Sequence, residues 1–164
     1  MSKPLTVLAA VDLNNSTTAV VRRAHQLAAS CGGQLVLAHA VDWHTGYEVD
    51  HIPSHTPQQI ASAMADEACQ RLAKLAKGLG ADQAQIWAVW GQPQRVVQAV
   101  AEAVNAEVVV VGTSGWLGCL RKVDQTPFTR PRRVVRVPAS RHFYWRWLGQ
   151  RVTRWMEQAF GVSS

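Results

Sequence analysis

Continuous apolar runs of strand length recur along the chain and are separated by longer stretches of mixed polarity. The first run extends from Leu5 to Val11 and stops at a polar loop that begins with Asp12. Similar runs follow later in the chain, at Gln34–Val41, Gln85–Trp90 and residues 108–111. Runs without polar alternation are typical of strands buried on both faces, as in parallel sheets. We therefore predict four such strands, and a short fifth one from Val134 to Val137.

The stretches between these runs carry apolar residues at intervals of three and four, which is the spacing of one helix face. The first stretch follows Asn15 or Ser16, either of which can cap a helix, and it ends at the glycines 32 and 33. The second ends at Gly78 or Gly80, and the third begins at the GQP turn of residues 91–93. We predict three helices. The first is marked by residues at helical spacing, which are Ala19, Val20, Arg23, Ala24, Leu27 and Ala28. The second is amphipathic, with Ile60, Met64, Ala68, Leu72, Leu75 and Leu79, and the third has Val96, Val97, Val100 and Val104 inward.

Strands that alternate with helices through short turns predict parallel pairing and right-handed crossovers, and therefore an α/β fold. We expect a single doubly wound parallel sheet with helices on both faces. The strand order of such a sheet reverses at one point and leaves a crevice at the carboxyl ends of two neighbouring strands. The polar loop at Asp12 and the glycine loop at Gly112 both follow strand ends, so we expect them to form the walls of that crevice.

The length of 164 residues is enough for one domain with its own hydrophobic core. We expect an α/β domain over residues 1–140 and an extension over residues 141–164. The net charge of +6 is unevenly distributed, because residues 1–120 carry seven Lys/Arg and nine Asp/Glu (−2), whereas residues 121–164 carry ten and two (+8). The basic charge belongs to the end of the chain, so a nucleic-acid partner is not expected.

No segment has the features of a signal peptide or a membrane span, because the apolar runs are short and are interrupted by charges. We therefore expect a cytoplasmic protein. The cysteines are odd in number and widely separated, so we interpret them as buried apolar residues rather than as disulfide or zinc ligands. They are Cys31, Cys69 and Cys119.

Four short motifs stand at the ends of the predicted elements: VDL at residues 11–13, HAVD at 39–42, GQP at 91–93 and AEVVVVGTSG at 106–115. Their order and spacing resemble the universal stress protein family, and the resemblance covers residues 4–138. It implies a five-stranded sheet in the order 3-2-1-4-5, of the Rossmann-like, adenine nucleotide alpha hydrolase-like type. It also implies an adenine nucleotide site in the crevice between the first and fourth strands.

The resemblance implies roles for individual residues around that crevice. Asp12 would accept a hydrogen bond from adenine, and Val41 would contact the ring. The backbone of Ala10, Val11 and Val111 would line the same pocket. From the residues alone, Asp12 can also be a turn or N-cap aspartate and the apolar residues can belong to the core, although we favour the adenine role for Asp12.

The phosphate motif of the family, Gly-x2-Gly-x9-Gly-[Ser/Thr], is matched in part. Gly112 and Gly115 occupy its first two positions, but Gln125-Thr126 stands in place of the final pair and Pro127 follows. The backbone of such a loop approaches phosphate closely, whereas Gln125 adds a side chain there and Pro127 lacks an amide hydrogen. We keep two hypotheses: a regulatory or accessory protein that binds ATP or AMP, and a nucleotide-free interaction module.

Other catalytic and metal-binding patterns are weak. We can place no nucleophile elbow, Ser-His-Asp order or P-loop lysine, so we expect no dedicated catalysis and leave slow ATP hydrolysis open. A histidine-rich loop is not expected to bind metal, because Pro53 keeps its histidines from sharing a helix face. That loop contains His44, His51 and His55 with Asp42 and Asp50.

The segment between Thr126 and Val134 is short and contains Pro131, which limits any helix to about one turn. The family has a longer fourth helix before its last strand, so we predict that this helix is shortened. The loss would leave the sheet near the fifth strand without cover unless another segment lies there.

Residues 141–160 separate on a helical wheel into an apolar, aromatic arc and an opposite arc that carries arginines. We predict an amphipathic helix that either packs on its own domain or docks to a protein partner or an anionic membrane surface, at the inner face of the membrane. We favour docking, through Tyr144, Trp145, Leu148, Arg151, Val152, Arg154, Trp155 and Met156.

The short apolar strand from Val134 to Val137 would lie at the edge of the sheet. An edge strand presents unpaired N–H and C=O groups, which a second copy of the chain can satisfy. We therefore predict a homodimer that forms through this strand, as the resemblance to the family also implies.

Overall fold

Five strands and three helices occupy the part of the chain that the computed structural model describes, which is residues 4–13, 17–41, 56–113 and 132–138. Each strand begins and ends within one residue of its predicted limits. The elements are β1 (Thr6–Val11), α1 (Thr17–Ser30), β2 (Gln34–Val41), α2 (Pro57–Gly78), β3 (Gln85–Trp90), α3 (Pro93–Ala103), β4 (Val108–Gly112) and β5 (Arg133–Val137).

The five strands form one parallel sheet in the order β3-β2-β1-β4-β5. β1 therefore lies in the middle, between β2 and β4. The register places Val11 beside His39 of β2, and Ala10 beside Val111 of β4. The predicted fold class and strand order are confirmed.

Helices cover both faces of the sheet. α1 and α2 pack against one face, where Val7, Ala9 and Val11 of β1 point, and α3 packs against the other, where Leu8 and Ala10 point. All six residues of β1 are buried, which explains why its sequence is apolar without alternation. The two apolar layers together form the hydrophobic core of the domain.

Local signals in the sequence set the starts of α2 and α3. At α2, the hydroxyl of Thr56 accepts from the backbone N–H of Gln59 at 3.3 Å, and the Gln59 side chain accepts from the Thr56 N–H at 2.8 Å. At α3, Pro93 is the first residue and Gly91 precedes it with φ of +135°, a conformation that glycine alone adopts easily. The GQP motif therefore turns the chain from β3 into α3.

The interpretation of the cysteines is wrong for Cys31, which is exposed, and Cys69 is only partly buried. Cys31 follows the last residue of α1 and precedes Gly32, where the chain turns away from the core face of the helix. Asn15, Ser16 and Cys119 lie outside the described residues. No disulfide is formed between the two cysteines that the structure describes.

Several predictions concern segments outside the described residues, and they stay predictions. These are the shortened fourth helix before β5, the amphipathic helix over residues 141–160 and the division of the chain at residue 140. Among the helices that the structure describes, none has the length and apolar character needed to cross a membrane.

Candidate functional site

A crevice opens at the carboxyl edge of the sheet, beside the central strand. From β1 the chain passes through α1 to β2, and from β3 it passes through α3 to β4 on the other side of β1. Because α1 and α3 lie on opposite faces, the carboxyl ends of β1 and β4 are left without a helix crossing between them. Asp12 and Gly112 stand at these two ends, as predicted.

Asp12 is anchored to the start of α1. The Thr17 hydroxyl donates a hydrogen bond to Oδ1 of Asp12 at 3.2 Å, and Thr17 itself is buried, with 4% of its surface exposed. This contact fixes the carboxylate over the end of β1. The contact agrees with the alternative of a turn aspartate and leaves the adenine role of Asp12 a prediction.

The next residue, Leu13, has an unusual backbone conformation. Its φ of +55° lies in the left-handed region, which is costly for a residue with a large side chain. The Leu13 carbonyl accepts a hydrogen bond from Nη2 of Arg71 at 3.4 Å. This bond connects α2 to the turn after β1. Leu13 also packs partly against the core on the α1–α2 face.

His39 lies in β2 directly beside the end of β1. Its Nδ1 is 2.8 Å from the carbonyl oxygen of Val11, and the ring is partly buried. Burial lowers the pKa of His39, while the hydrogen bond to the Val11 carbonyl and the nearby Asp12 carboxylate act in the opposite direction, and Arg71 lowers it. The neutral ring is therefore favoured at this place.

The β4 side of the crevice consists mostly of backbone. Val111 and Gly112 are buried, and the N–H of Thr113 donates to the carbonyl of Val137 at 3.0 Å. The first amide after Gly112 is therefore used to hold β5. The remaining residues of the predicted phosphate motif, Gly115, Gln125 and Thr126, lie outside the described residues.

Val41 ends β2 and is buried, with 3% of its surface exposed. Its carbonyl accepts from the N–H of Gly91 at 3.1 Å, which ties the end of β2 to the turn before α3. The burial of Val41 agrees with a role in the hydrophobic core. Its contact with adenine stays a prediction. Among the described residues, no group of three or more side chains is arranged to hold a metal ion.

The sequence profile of the universal stress protein family matches residues 5–124. The chain belongs to the universal stress protein family. The fold and the strand order are those implied by the motifs at the ends of β1, β2 and β4. No curated protein is significantly similar to the chain in sequence.

Solved universal stress proteins share this fold over most of their length. A universal stress protein in complex with cAMP is 26% identical, with 83% of this chain and 98% of that chain covered and a TM-score of 0.54. UspA from Lactobacillus plantarum is 17% identical, with coverage of 84% and 99% and a TM-score of 0.61. A universal stress protein from Archaeoglobus fulgidus in complex with dAMP is 15% identical, with coverage of 83% and 98% and a TM-score of 0.54.

The described part of this universal stress protein brings six of the predicted site residues to the carboxyl edge of β1, β2 and β4. They are Ala10, Val11, Asp12, Val41, Val111 and Gly112. The predicted docking residues 144–156 lie outside the described residues.

Three residues that contact the turn were missed by sequence reasoning: Thr17, His39 and Arg71. A histidine within the apolar run of β2 was a usable signal, because a buried polar ring needs a hydrogen-bond partner. The polar face of α2 gave no comparable signal for Arg71.

A second depression, of about 540 Å³, lies at the opposite edge of the sheet, where β2 and β3 begin. Its floor includes Ala28, Leu35 and Ala81, and its rim includes His25 and Asp82. Ligands of open α/β sheets bind at the carboxyl ends of the strands, next to the point where the order reverses. The crevice at Asp12, and not this depression, is therefore the candidate functional site.

Proposed function

We propose that this universal stress protein is a regulatory or accessory protein that binds an adenine nucleotide, ATP or AMP, in the crevice between β1 and β4. One observation carries the proposal: the register pairs Ala10 with Val111, so the polar turn at Asp12 and the turn at Gly112 start side by side. An acidic acceptor suits the amino group of adenine, and a glycine turn permits close approach of backbone to phosphate.

In this proposal Asp12 gains adenine as a further partner beside Thr17. A carboxylate has two oxygens and about four acceptor positions, so the bond from Thr17 is compatible with a second bond from adenine. The Thr17 bond then serves binding, because it holds the carboxylate in place before the ligand arrives. The apolar lining of the pocket would come from Val41 and from the backbone of Ala10, Val11 and Val111.

The phosphates would depend on the segment after Thr113, because the Thr113 amide already donates to Val137. That segment keeps Gly115 and Thr126 of the family motif but has Gln125 before Thr126 and Pro127 after it. We therefore expect the second and third phosphates to add little, and AMP and ATP to bind within about tenfold of each other. The complexes of two relatives with cAMP and dAMP support adenine monophosphates as probes.

The test begins with mass spectrometry of small molecules released from the purified, heat-denatured protein. Calorimetry with AMP, ATP and cAMP follows, on the wild type, Asp12→Ala and Asp82→Ala. Asp82 is a matched control, because it is an exposed aspartate in the turn at the other edge of the sheet. We expect Asp12→Ala to weaken binding at least tenfold and Asp82→Ala to leave it unchanged.

The second candidate function is a nucleotide-free interaction module, favoured by Gln125 and Pro127 within the phosphate motif. A blank in mass spectrometry, together with no heat of binding for the three nucleotides, would support it and contradict the first proposal. Equal binding by wild type and Asp12→Ala would instead show that a nucleotide binds elsewhere.

We also propose a homodimer formed through β5. This strand is at the end of the sheet order and pairs with β4 alone among the described strands. The N–H of Arg133 donates to Glu107 and the carbonyl of Val137 accepts from Thr113, so residues 133, 135 and 137 turn their backbone groups toward β4. Because these directions alternate along a strand, Val134 and Arg136 turn theirs toward the open edge.

That alternation gives a specific test of the dimer. Arg136→Pro removes one outward N–H without removing a bond of the β4–β5 ladder. Arg136→Ala is the matched control, because it shortens the same exposed side chain and keeps the N–H. We expect light scattering to give about twice the 18.0 kDa chain mass for wild type and Arg136→Ala, and a monomer for Arg136→Pro. A monomeric wild type at micromolar concentration would contradict the dimer.

The basic segment of residues 141–160 is proposed to dock to a protein partner or to an anionic membrane surface at the inner face of the membrane. Arginines near such a surface contribute up to about 1 kcal/mol each, and salt weakens the attraction. Flotation with anionic and neutral liposomes, at low and high salt, compares the wild type with Arg151→Glu/Arg154→Glu. Loss of flotation in the variant supports membrane docking, whereas a wild type that never floats leaves a protein partner as the proposal.

A further inference from the structure

Three consecutive residues at the end of β1 are each held by a side chain from a different element. His39 of β2 contacts the Val11 carbonyl at 2.8 Å and Thr17 of α1 contacts the Asp12 carboxylate at 3.2 Å. Arg71 of α2 contacts the third residue through its carbonyl, at 3.4 Å. We name residues 11–13 the β1 turn.

The β1 turn has a conformation that its own sequence does not favour. Its third residue, Leu13, has φ of +55°, and a left-handed conformation costs a residue with a branched side chain about 1 kcal/mol or more. Such a conformation persists where the surroundings impose it. The three side-chain contacts surround this conformation, and the one from Arg71 reaches the carbonyl of Leu13 itself.

The Val11 carbonyl already points toward β2 in the parallel pairing of the two strands, and the contact from His39 adds a second partner there, next to the following amide. The Val11 carbonyl and the Asp12 N–H belong to one planar trans peptide unit, in which the two bonds point in opposite directions. The carbonyl points to His39 in β2. The Asp12 N–H therefore points away from β2, toward the side of the sheet where β4 ends.

We propose that His39 is a positioning residue for nucleotide binding, because its bond to the Val11 carbonyl orients Asp12 in the crevice. This inference rests on the proposed function, since it assigns a role at the same site. A carbonyl can only accept, so Nδ1 of His39 carries the hydrogen in this bond. The ring acts as a fixed donor.

The charges around the ring agree with the role of a neutral donor. Asp12 and Arg71 are the charged groups that act on His39, and they oppose each other. Burial lowers the pKa of the ring, so a second proton is disfavoured there. We therefore expect that a neutral side chain with a hydrogen-bond donor at the same position can do the work of His39.

The test uses the full-length protein and calorimetry with AMP. In His39→Asn the side-chain amide places an N–H where Nδ1 stood, whereas His39→Leu removes the donor. His25→Leu is the matched control, because His25 is another partly buried histidine at the opposite edge of the sheet. We expect at least tenfold weaker binding for His39→Leu, and binding within threefold of wild type for His39→Asn and His25→Leu. Unchanged affinity in His39→Leu would overturn the inference, as would equal losses in His39→Leu and His39→Asn.

A second measurement does not depend on nucleotide. Hydrogen exchange and the NMR shifts of the Asp12 and Leu13 amides, in the ligand-free protein, should change in His39→Leu and return in His39→Asn. Changes spread evenly over the core would indicate general destabilisation and overturn the inference. If the wild type binds no nucleotide, the proposed function is wrong, and the exchange data alone decide whether His39 orders the β1 turn.

Discussion

The two ends of the central strand β1 differ in the hydrogen bonds that hold them. Backbone bonds occur at both edges of the sheet, since Gly91 donates to Val41 and Thr113 to Val137 at the carboxyl edge. At the amino edge the contacts run mainly from backbone to backbone: Gln34 N–H to Leu5 at 2.8 Å, Glu107 N–H to Thr6 at 3.0 Å, and Arg133 N–H to Glu107 at 3.0 Å. Side chains add to them: the Glu107 carboxylate accepts from the Thr6 N–H at 2.7 Å, and the Arg132 guanidinium donates to the Ala106 carbonyl. These bonds join the starts of β1, β2, β4 and β5.

At the carboxyl edge the contacts at the β1 turn come from side chains. His39, Thr17 and Arg71 hold three successive residues there, and each belongs to a different element. Backbone bonds form whatever the side chains are, whereas these three depend on residue identity. We therefore expect substitutions at the amino edge to change stability, and substitutions of these three side chains to change the proposed binding while the fold persists. The predictions below test this difference.

The largest effect is expected at Gly33, which precedes β2. A Cβ on this residue would overlap the backbone carbonyl of Leu5, and that oxygen is already bonded to the Gln34 N–H. Because both partners are backbone, neither can move without opening the β1–β2 pairing. We expect Gly33→Ala to lower the free energy of unfolding by about 3 kcal/mol, measured by urea denaturation.

Gly78→Ala is the control for this substitution. Gly78 is the last residue of α2, and a Cβ there would meet nothing within 4 Å. Alanine in a helix is more stable than glycine by about 0.5 to 1 kcal/mol. A Gly33→Ala protein as stable as Gly78→Ala would show that the amino edge is not rigid.

The second effect concerns Glu107, whose carboxylate accepts from the N–H of Thr6 at the start of β1. Thr6 is buried, with 4% exposed, so its N–H would be left without this charged acceptor in Glu107→Ala. We expect a loss of about 2 kcal/mol in the free energy of unfolding. Glu107→Gln keeps an acceptor and should lose less, and Glu67→Ala on the exposed face of α2 should change little. Equal stability of the two Glu107 variants would show that a neutral acceptor at this position does not stabilise the fold.

The sequence was sufficient to predict the sheet, because burial on both faces requires the apolar runs of β1 and β4. It also placed Asp12 and Gly112 at strand ends, and the resemblance to the family implied that these strands, β1 and β4, are neighbours. It was not sufficient for the β1 turn. His39 and Arg71 lie 28 and 58 residues from the atoms they contact, so no local pattern connects them. The predicted burial of Cys31 was wrong for a related reason, because residue type alone does not determine whether a side chain in a turn is buried or exposed.

A smaller effect on stability is expected at Thr17, on the carboxyl edge. Thr17→Val has nearly the same shape and removes the hydroxyl that donates to Asp12. We expect the free energy of unfolding to fall by about 1 kcal/mol. We also expect the loss in free energy of nucleotide binding to exceed this value, because Asp12 is no longer held. Thr18→Val, at the neighbouring and less buried position, is the control. A Thr17→Val protein that binds nucleotide as the wild type does would remove the link between the carboxyl edge and binding.

The smallest effect is expected in the pH dependence of stability, and it arises from His39. Burial lowers the pKa of this ring in the folded protein, whereas the unfolded chain titrates near the ordinary value of about 6.5. Below that pH the unfolded state binds more protons, so stability from His39 is fully present above about pH 6.5 and is lost as pH falls through the lower folded value.

His39→Asn should remove this contribution to the slope. We therefore expect the difference in free energy of unfolding between wild type and His39→Asn to be constant above about pH 6.5 and to move against the wild type as the pH falls. Denaturation curves at half-unit intervals from pH 7.5 to pH 5 measure it, and the partial exposure of the ring keeps it small. A difference that moves in favour of the wild type on acidification would mean that the Asp12 carboxylate outweighs burial, and that His39 is charged when the β1 turn is formed.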